Sequence, residues 1–176
     1  YLDGSGGKYI DDPRIRRCGW AWVWMTHDGI YAYGEYGTLH APQTEQTVPR
    51  AELTALARVL QHLVQLGWTN EVHIHSDATV VVQGYQHGWG YCSHTHLGLL
   101  WHEVSTARTL LEERGVTIRV TKVKGHITDD MVAKGTWSKC DQTGNNKADE
   151  LASLGAALHE VPESEVSEIH HVDARA

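Results

Sequence analysis

Between Cys18 and Met25 the chain alternates bulk with small side chains: Trp20, Trp22 and Trp24 fall on one side of an extended backbone, Ala21 and Val23 on the other. A period of two belongs to a β-strand and places its large and small residues on opposite faces. His27-Asp28-Gly29 then signals a turn, and Ile30 to Leu39, with Tyr31, Tyr33 and Tyr36, reads as the returning strand. Ahead of this pair, Tyr1-Leu2-Asp3 reads as the end of another strand that opens into a tight turn through Gly4 to Gly7. The chain therefore begins with an antiparallel meander of three strands. The tryptophan stripe could serve base stacking or carbohydrate binding, but strand core or sheet surface is the plainer reading.

The periodicity changes after a polar loop from Ala41 to Pro49. Leu53, Leu56, Ala57, Leu60, Leu63 and Val64 recur at helical spacing, and Pro49 sits at the first turn, which places Glu52 in that turn. Glu71 to Ser76 alternates again as a strand and Asp77 ends it, just before a helical stretch from Ala78 to Gly84. His87 to His96 reads as a loop and Leu97 to Arg114 as a helix stopped by Gly115. Val116 to Val123 is a β-branched strand, followed by a long polar loop through Gly144. Asn145-Asn146 can cap a final helix over 147–158, with Asp149 in its first turn.

A chain of 176 residues is most simply one domain with a proper core. No apolar run approaches the roughly 18 residues of a membrane span, and no signal peptide opens the sequence. Cys18, Cys92 and Cys140 are too few and scattered for a disulfide framework, so a reducing, intracellular compartment is expected. The net charge of -7 argues against a generic nucleic-acid binder, yet Arg14, Arg16 and Arg17, and later Lys122, Lys124, Lys134, Lys139 and Lys147, cluster locally. Glu160 to Ala176 is acidic and contains Pro162; it reads as a tail or a short added helix.

Strand, strand, strand, helix, strand, helix, helix, strand, helix describes an α/β fold: a mixed sheet, antiparallel first and parallel through crossovers later. In such a fold Asp3, Glu52, Asp77 and Asp149 could converge. Two ionised carboxylates at 4 Å repel by roughly 4 kcal/mol at an effective dielectric of 20, so a cluster of four persists only if protonated or filled by cations. Hard, oxygen-seeking Mg²⁺ or Mn²⁺ suit it, and two such ions can support phosphodiester cleavage. Each carboxylate alone has a plain structural reading, as a turn aspartate or a helix-dipole partner. His73 and His75, or Cys92, His94 and His96, lack a recognised zinc spacing.

Five segments, in order, resemble type 1 ribonuclease H: Asp3-Gly4-Ser5, Arg50-Ala51-Glu52-Leu53, Ser76-Asp77, Val123-Lys124-Gly125-His126, and Asn145-Asn146-Lys147-Ala148-Asp149-Glu150-Leu151-Ala152. The resemblance spans Tyr1 to about Leu158. It implies a ribonuclease H-like α/β fold with a five-stranded mixed sheet flanked by helices. It implies a metal-dependent endonuclease that hydrolyses the RNA strand of an RNA–DNA hybrid with two Mg²⁺, Mn²⁺ substituting, and leaves a 5′-phosphate and a 3′-hydroxyl. Asp3 would bridge both ions, Asp149 would complete one, and Glu52 and Asp77 the other. His126 is similar to a mobile loop histidine that aids proton transfer or product departure.

On the substrate side the resemblance offers Gly4 and Ser5, Thr47 for a DNA-strand phosphate, Arg50, and Thr79 where a glutamine often contacts RNA. Trp89 and Tyr91 are candidates for stacking on the DNA strand. Val48-Pro49 departs from the asparagines common in cellular members. The short, nearly uncharged 87–96 loop resembles retroviral and retroelement domains, whose hybrid binding is aided by an attached polymerase. A catalytic domain over 1–158 is expected, with 127–144 as an inserted loop in which Lys134, Trp137 and Lys139 could form a substrate flap. The partners expected are the hybrid and an adjoining polymerase domain, with the isolated domain a monomer away from membranes. A non-catalytic hybrid-binding or spacer domain of the same fold is the alternative.

Overall fold

The computed structural model describes residues 1–175. The five strands are β1 (Leu2–Ser5), β2 (Gly19–Met25), β3 (Tyr31–Thr38), β4 (Val72–Ser76) and β5 (Ile118–Lys122), in the spatial order β3-β2-β1-β4-β5. β1, β2 and β3 pair antiparallel, whereas β1–β4 and β4–β5 are parallel. The mixed sheet expected from the alternation and the crossover helices is thus present. Seven α-helices accompany it among the described residues: α1 (Val48–Gln65), α2 (Thr79–His87), α3 (Trp89–Cys92), α4 (Gly98–Glu113), α5 (Asp129–Ala133), α6 (Lys139–Ala157) and α7 (Glu163–Asp173). No helix among the described residues is long and apolar enough to cross a membrane.

The two faces of β2 explain the layers. Trp22 joins the large core with Leu2, Ile74 and the apolar sides of α1, α2 and α4. Ala21 and Val23, on the opposite face, pack against Ala148, Leu151 and Ala152 of α6. Small residues on both partners let α6 lie close along the sheet, so the carboxylate of Asp149 arrives beside the strand that carries Asp3. Burying such side chains contributes on the order of 1.5–3 kcal/mol each for the larger ones.

Several boundaries differ from those the pattern predicts. β1 continues through Ser5, which pairs with Gly19, so Asp3 lies within the strand rather than at its end. α1 starts at Val48 with Thr47 as N-cap, because Pro49 is tolerated in the first turn where its missing N–H costs nothing. Glu52 consequently falls in the second turn rather than the first. The 87–96 loop contains α3.

The largest correction concerns 127–144, expected as loop. It contains α5 and the first turns of α6. Ser138 and Asp141 form a capping box there: the Ser138 hydroxyl accepts from the Asp141 amide at 2.9 Å, and the Asp141 carboxylate accepts from the Ser138 amide at 3.2 Å. Asn145-Asn146 therefore sits inside the helix, not at its cap, and Asp149 lies in the middle of α6 rather than in its first turn. In the acidic end, α7 packs Val166 against Ile15 and Val161. Its Glu163 pairs with Lys8 at 3.0 Å and its Asp173 with Arg14 at 2.7 Å.

Candidate active site

Three elements deliver three carboxylates to one place. Asp3 is carried by β1, the middle strand of the sheet, and its own Oδ1 accepts from the Gly4 amide at 2.7 Å. Gly4 lets the helix approach: a β-carbon there would stand 2.6 Å from the Glu52 backbone nitrogen. Only a residue without a side chain allows α1 to cross β1 at that height, and the crossing sets Glu52 beside Asp3. Asp77 follows the last residue of β4, where the Ser76 hydroxyl accepts from the Ala78 amide at 3.1 Å and turns the chain into α2.

Oxygens of Asp3, Glu52 and Asp77 all lie within 4.8 Å of one another. Asp3 and Glu52 are buried, at 6% and 5% exposure. The Asp3 carboxyl is pushed up to about 7, first by burial and then by the charges of Asp77 and Asp149, against the opposing hydrogen bonds of Glu52 and Gly4. Glu52 is held well above the carboxylate range by burial and by Asp3. Asp77 is also raised by burial, with Lys122 and His126 opposing. Glu52 Oε2 is buried without a hydrogen-bond partner. A cluster of hard oxygen donors with an orphaned buried oxygen fits a divalent cation such as Mg²⁺ or Mn²⁺.

Asp149 belongs to the surroundings of this triad rather than to its tight core. It is exposed, lies outside the 4.8 Å group, and is still near enough for its charge to raise Asp3 and Asp77. His126 is exposed on the loop after β5 and has a left-handed backbone, φ 54°. The preceding Gly125 packs against the site, since a β-carbon there would stand 2.6 Å from Asp77 Oδ2. The loop that carries His126 is thus braced on a member of the triad.

The residues expected on the substrate side have varied surroundings. Arg50 is engaged by Glu45 at 2.6 Å. Thr47 caps α1 through its carbonyl, which accepts from the Ala51 amide at 3.1 Å, while its hydroxyl makes no cap bond. Ser5 Oγ accepts from the Gly7 amide at 3.2 Å. Trp89 and Tyr91 are exposed on α3, beside His102 and His87 respectively. In the supposed flap, Lys134 pairs with Asp130 at 2.7 Å and Lys139 lies 3.6 Å from Asp129, while Trp137 is half-buried.

Thr79 is engaged by Lys122, which stands out in the sequence only as one member of a basic cluster. Lys122, at the end of β5, donates to the Thr79 hydroxyl at 2.7 Å and to the Asp77 carbonyl. The register pairs Lys122 with Ser76. A lysine ending the strand next to an Asp-bearing strand end was the available signal, but the adjacency of β4 and β5 is needed to read it.

The RNase H family profile matches residues 1–157. The RNase H domain of prototype foamy virus superposes with a TM-score of 0.66 at 19% identity, covering 90% of this chain and 93% of that one. LC11-RNase H1, solved in complex with an RNA/DNA hybrid, gives 0.59 at 18% identity, covering 90% and 97%. The foamy viral protease-reverse transcriptase, also solved with an RNA/DNA hybrid, gives 0.64 at 15% identity, covering 90% of this chain and 20% of that longer one. No curated protein matches the sequence significantly. At these identities the structural likenesses establish the fold.

Proposed function

The chain belongs to the ribonuclease H family, and from that premise we propose that it hydrolyses the RNA strand of RNA–DNA hybrids as a divalent-metal-dependent endonuclease. The observation that carries the reading is the triad of Asp3, Glu52 and Asp77. Burying two carboxylic acids against a third is unfavourable for a fold that has no use for cations. A spacer domain has no physical need for it. Asp3, Glu52, Asp77 and Asp149 would hold the ions, which when bound supply Lewis acidity toward the scissile phosphate and a water of lowered pKa.

The chain's own residues do the remaining work. Gly4 and the β1 backbone fix Asp3, the crossing of α1 fixes Glu52, and Lys122 holds the main chain at Asp77. Water attacks phosphorus, the bond from phosphorus to the ribose 3′-oxygen breaks, and that oxygen leaves with a proton as the 3′-hydroxyl. The other product carries a 5′-phosphate. His126, exposed and beside Asp77, is placed to take up or return a proton on the solvent side. Thr47, Trp89 and Tyr91 remain available to the hybrid, whereas Arg50 and Thr79 act within the scaffold.

Its surroundings follow from the same reading. The fold occupies a fifth of the foamy viral protease-reverse transcriptase, and the short segment between α2 and α4 offers no cluster of lysines for binding alone. An adjoining polymerase module would supply the missing affinity. Free thiols at Cys18, Cys92 and Cys140 suit an intracellular, reducing setting.

The test is cleavage of end-labelled RNA–DNA hybrid with Mg²⁺ or Mn²⁺, beside duplex RNA, duplex DNA and single strands. Hybrid-selective, EDTA-sensitive cleavage is expected, lost in Asp77→Asn while circular dichroism stays unchanged. Binding of hybrid without cleavage would point to the spacer alternative.

A further inference from the structure

β4 presents different chemistry on its two faces. Val72 and Ile74 pack into the large core with Ile118 and Val120 of β5. His73 and His75 project from the other face, since residues two apart on a strand share a side, and Thr121 of β5 lies beside His75 in the register. α6 packs on β1, β2 and β3 across that face. At the β4–β5 end imidazoles stand in place of an apolar layer, with His73 exposed and His75 half-buried.

The two rings are neighbours, with centroids 4.1 Å apart, and they converge on one atom. Thr121 Oγ1 lies 2.9 Å from His73 Nε2 and 3.4 Å from His75 Nδ1. A hydroxyl has a single proton, so it donates to one ring and accepts from the N–H of the other. His75 is held by further contacts. The Tyr1 ring stacks on it at 4.6 Å, and the Tyr1 hydroxyl donates at 2.7 Å to Asp141, whose carboxylate also closes the capping box of α6. Ring orientation is thus set by packing, as outer partners set it around metal-binding histidines. Two solvent-facing strand histidines would need no explanation; two ring nitrogens directed at one point form the beginning of a chelate.

We propose that His73 Nε2 and His75 Nδ1 together bind a transition-metal ion of the Zn²⁺ or Cu²⁺ class, at a site separate from the carboxylates. Imidazole nitrogens suit Zn²⁺ and Cu²⁺, whereas Mg²⁺ and Mn²⁺ prefer the oxygens of Asp3, Glu52 and Asp77. The two donor sets therefore sort the two kinds of ion. Zn–N bonds are about 2.0–2.1 Å long, shorter than either contact to Thr121, so an ion between the rings takes the place of the hydroxyl and leaves the strands where they are. Two protein ligands do not close a structural zinc site; water completes the coordination, and the exposed edge of His73 gives the ion its way in. The proposal is independent of the ribonuclease reading, since it uses none of the triad.

Zn²⁺ titration calorimetry on the 176-residue protein, with Mg²⁺ in excess, tests the site, and paramagnetic resonance of bound Cu²⁺ counts its nitrogens. One Zn²⁺ is expected, and copper should couple to two nitrogens. His73→Gln and His75→Gln should each weaken Zn²⁺ binding by at least about tenfold, since even outer partners of a metal histidine are worth that much. The exposed His73 puts the fold least at risk, and the Tm of each metal-free variant checks it. Thr121→Asp, which sets a carboxylate where both rings point, should tighten binding. Exposed His94 and His96 serve as the control: the double variant to Gln should bind Zn²⁺ as the parent does. Unchanged affinity in His73→Gln would overturn the proposal, as would a copper spectrum with a single coupled nitrogen. Loss of Zn²⁺ binding in Asp3→Asn would overturn it too, by placing the ion at the carboxylates.

Discussion

Gly4 stands so close to α1 that a β-carbon on it would lie 2.6 Å from the backbone nitrogen of Glu52. The spacing between the middle strand and the helix is therefore set by an absent side chain, and the distance between Asp3 and Glu52 follows from it. Gly4→Ala should force the two elements apart, with a destabilisation of about 1–3 kcal/mol as in other overpacked sites. Urea denaturation would measure it. Mn²⁺ affinity, read by titration calorimetry, should weaken alongside, whereas Gly67→Ala, where nothing lies near, should leave metal binding unchanged.

The buried carboxylates make the metal-free protein sensitive to pH in a particular direction. Asp3 ordinarily titrates near 3.8 and is raised to about 7 in the fold. The folded state then keeps a proton that the unfolded chain releases, so Asp3 makes stability fall as pH rises from about 4 through 7. Asp3→Asn should flatten that part of the profile in EDTA. Added Mg²⁺ should restore the parent's stability at pH 7 to 8, with no such rescue in Asp3→Asn.

Lys122 acts on the reaction through Asp77, by holding its carbonyl together with the Thr79 hydroxyl. Lys122→Met should lower kcat by about tenfold, the usual scale for a residue that orients a metal ligand. KM for hybrid should change little, and Lys122→Arg should recover part of the loss. A rise in KM with kcat intact would instead assign Lys122 to a phosphate of the substrate.

Much of the architecture was legible in the residues because both periods are clean. The tryptophan alternation over 20–24 and the apolar stripe of α1 specify which faces are buried, and the element order fixes a mixed sheet. The three clustered acids were legible only as members of ordered motifs, since a single Asp-Gly or helix glutamate has an ordinary explanation. What escaped depends on distance along the chain. The Ser138–Asp141 box lies in a stretch without apolar periodicity, so the start of α6 was hidden and Asn145 looked like a cap. The exposed setting of Asp149, the engagement of Arg50 by Glu45 and the tie from Lys122 to Thr79 arise from packing between elements.

The anchoring of β1 and of α7 has a mechanical consequence. β1 is the middle strand, gripped from both sides, while α7 lies on the outside, held by Val166 and by surface pairs to Lys8 and Arg14. Exposed pairs of that kind contribute about 0–1 kcal/mol each and weaken with salt. Tension applied between β1 and α7 would peel the helix away at low force, whereas β1 would have to be sheared out of its ladder. The strand bearing Asp3 should thus withstand a pull that has already stripped α7 from the surface.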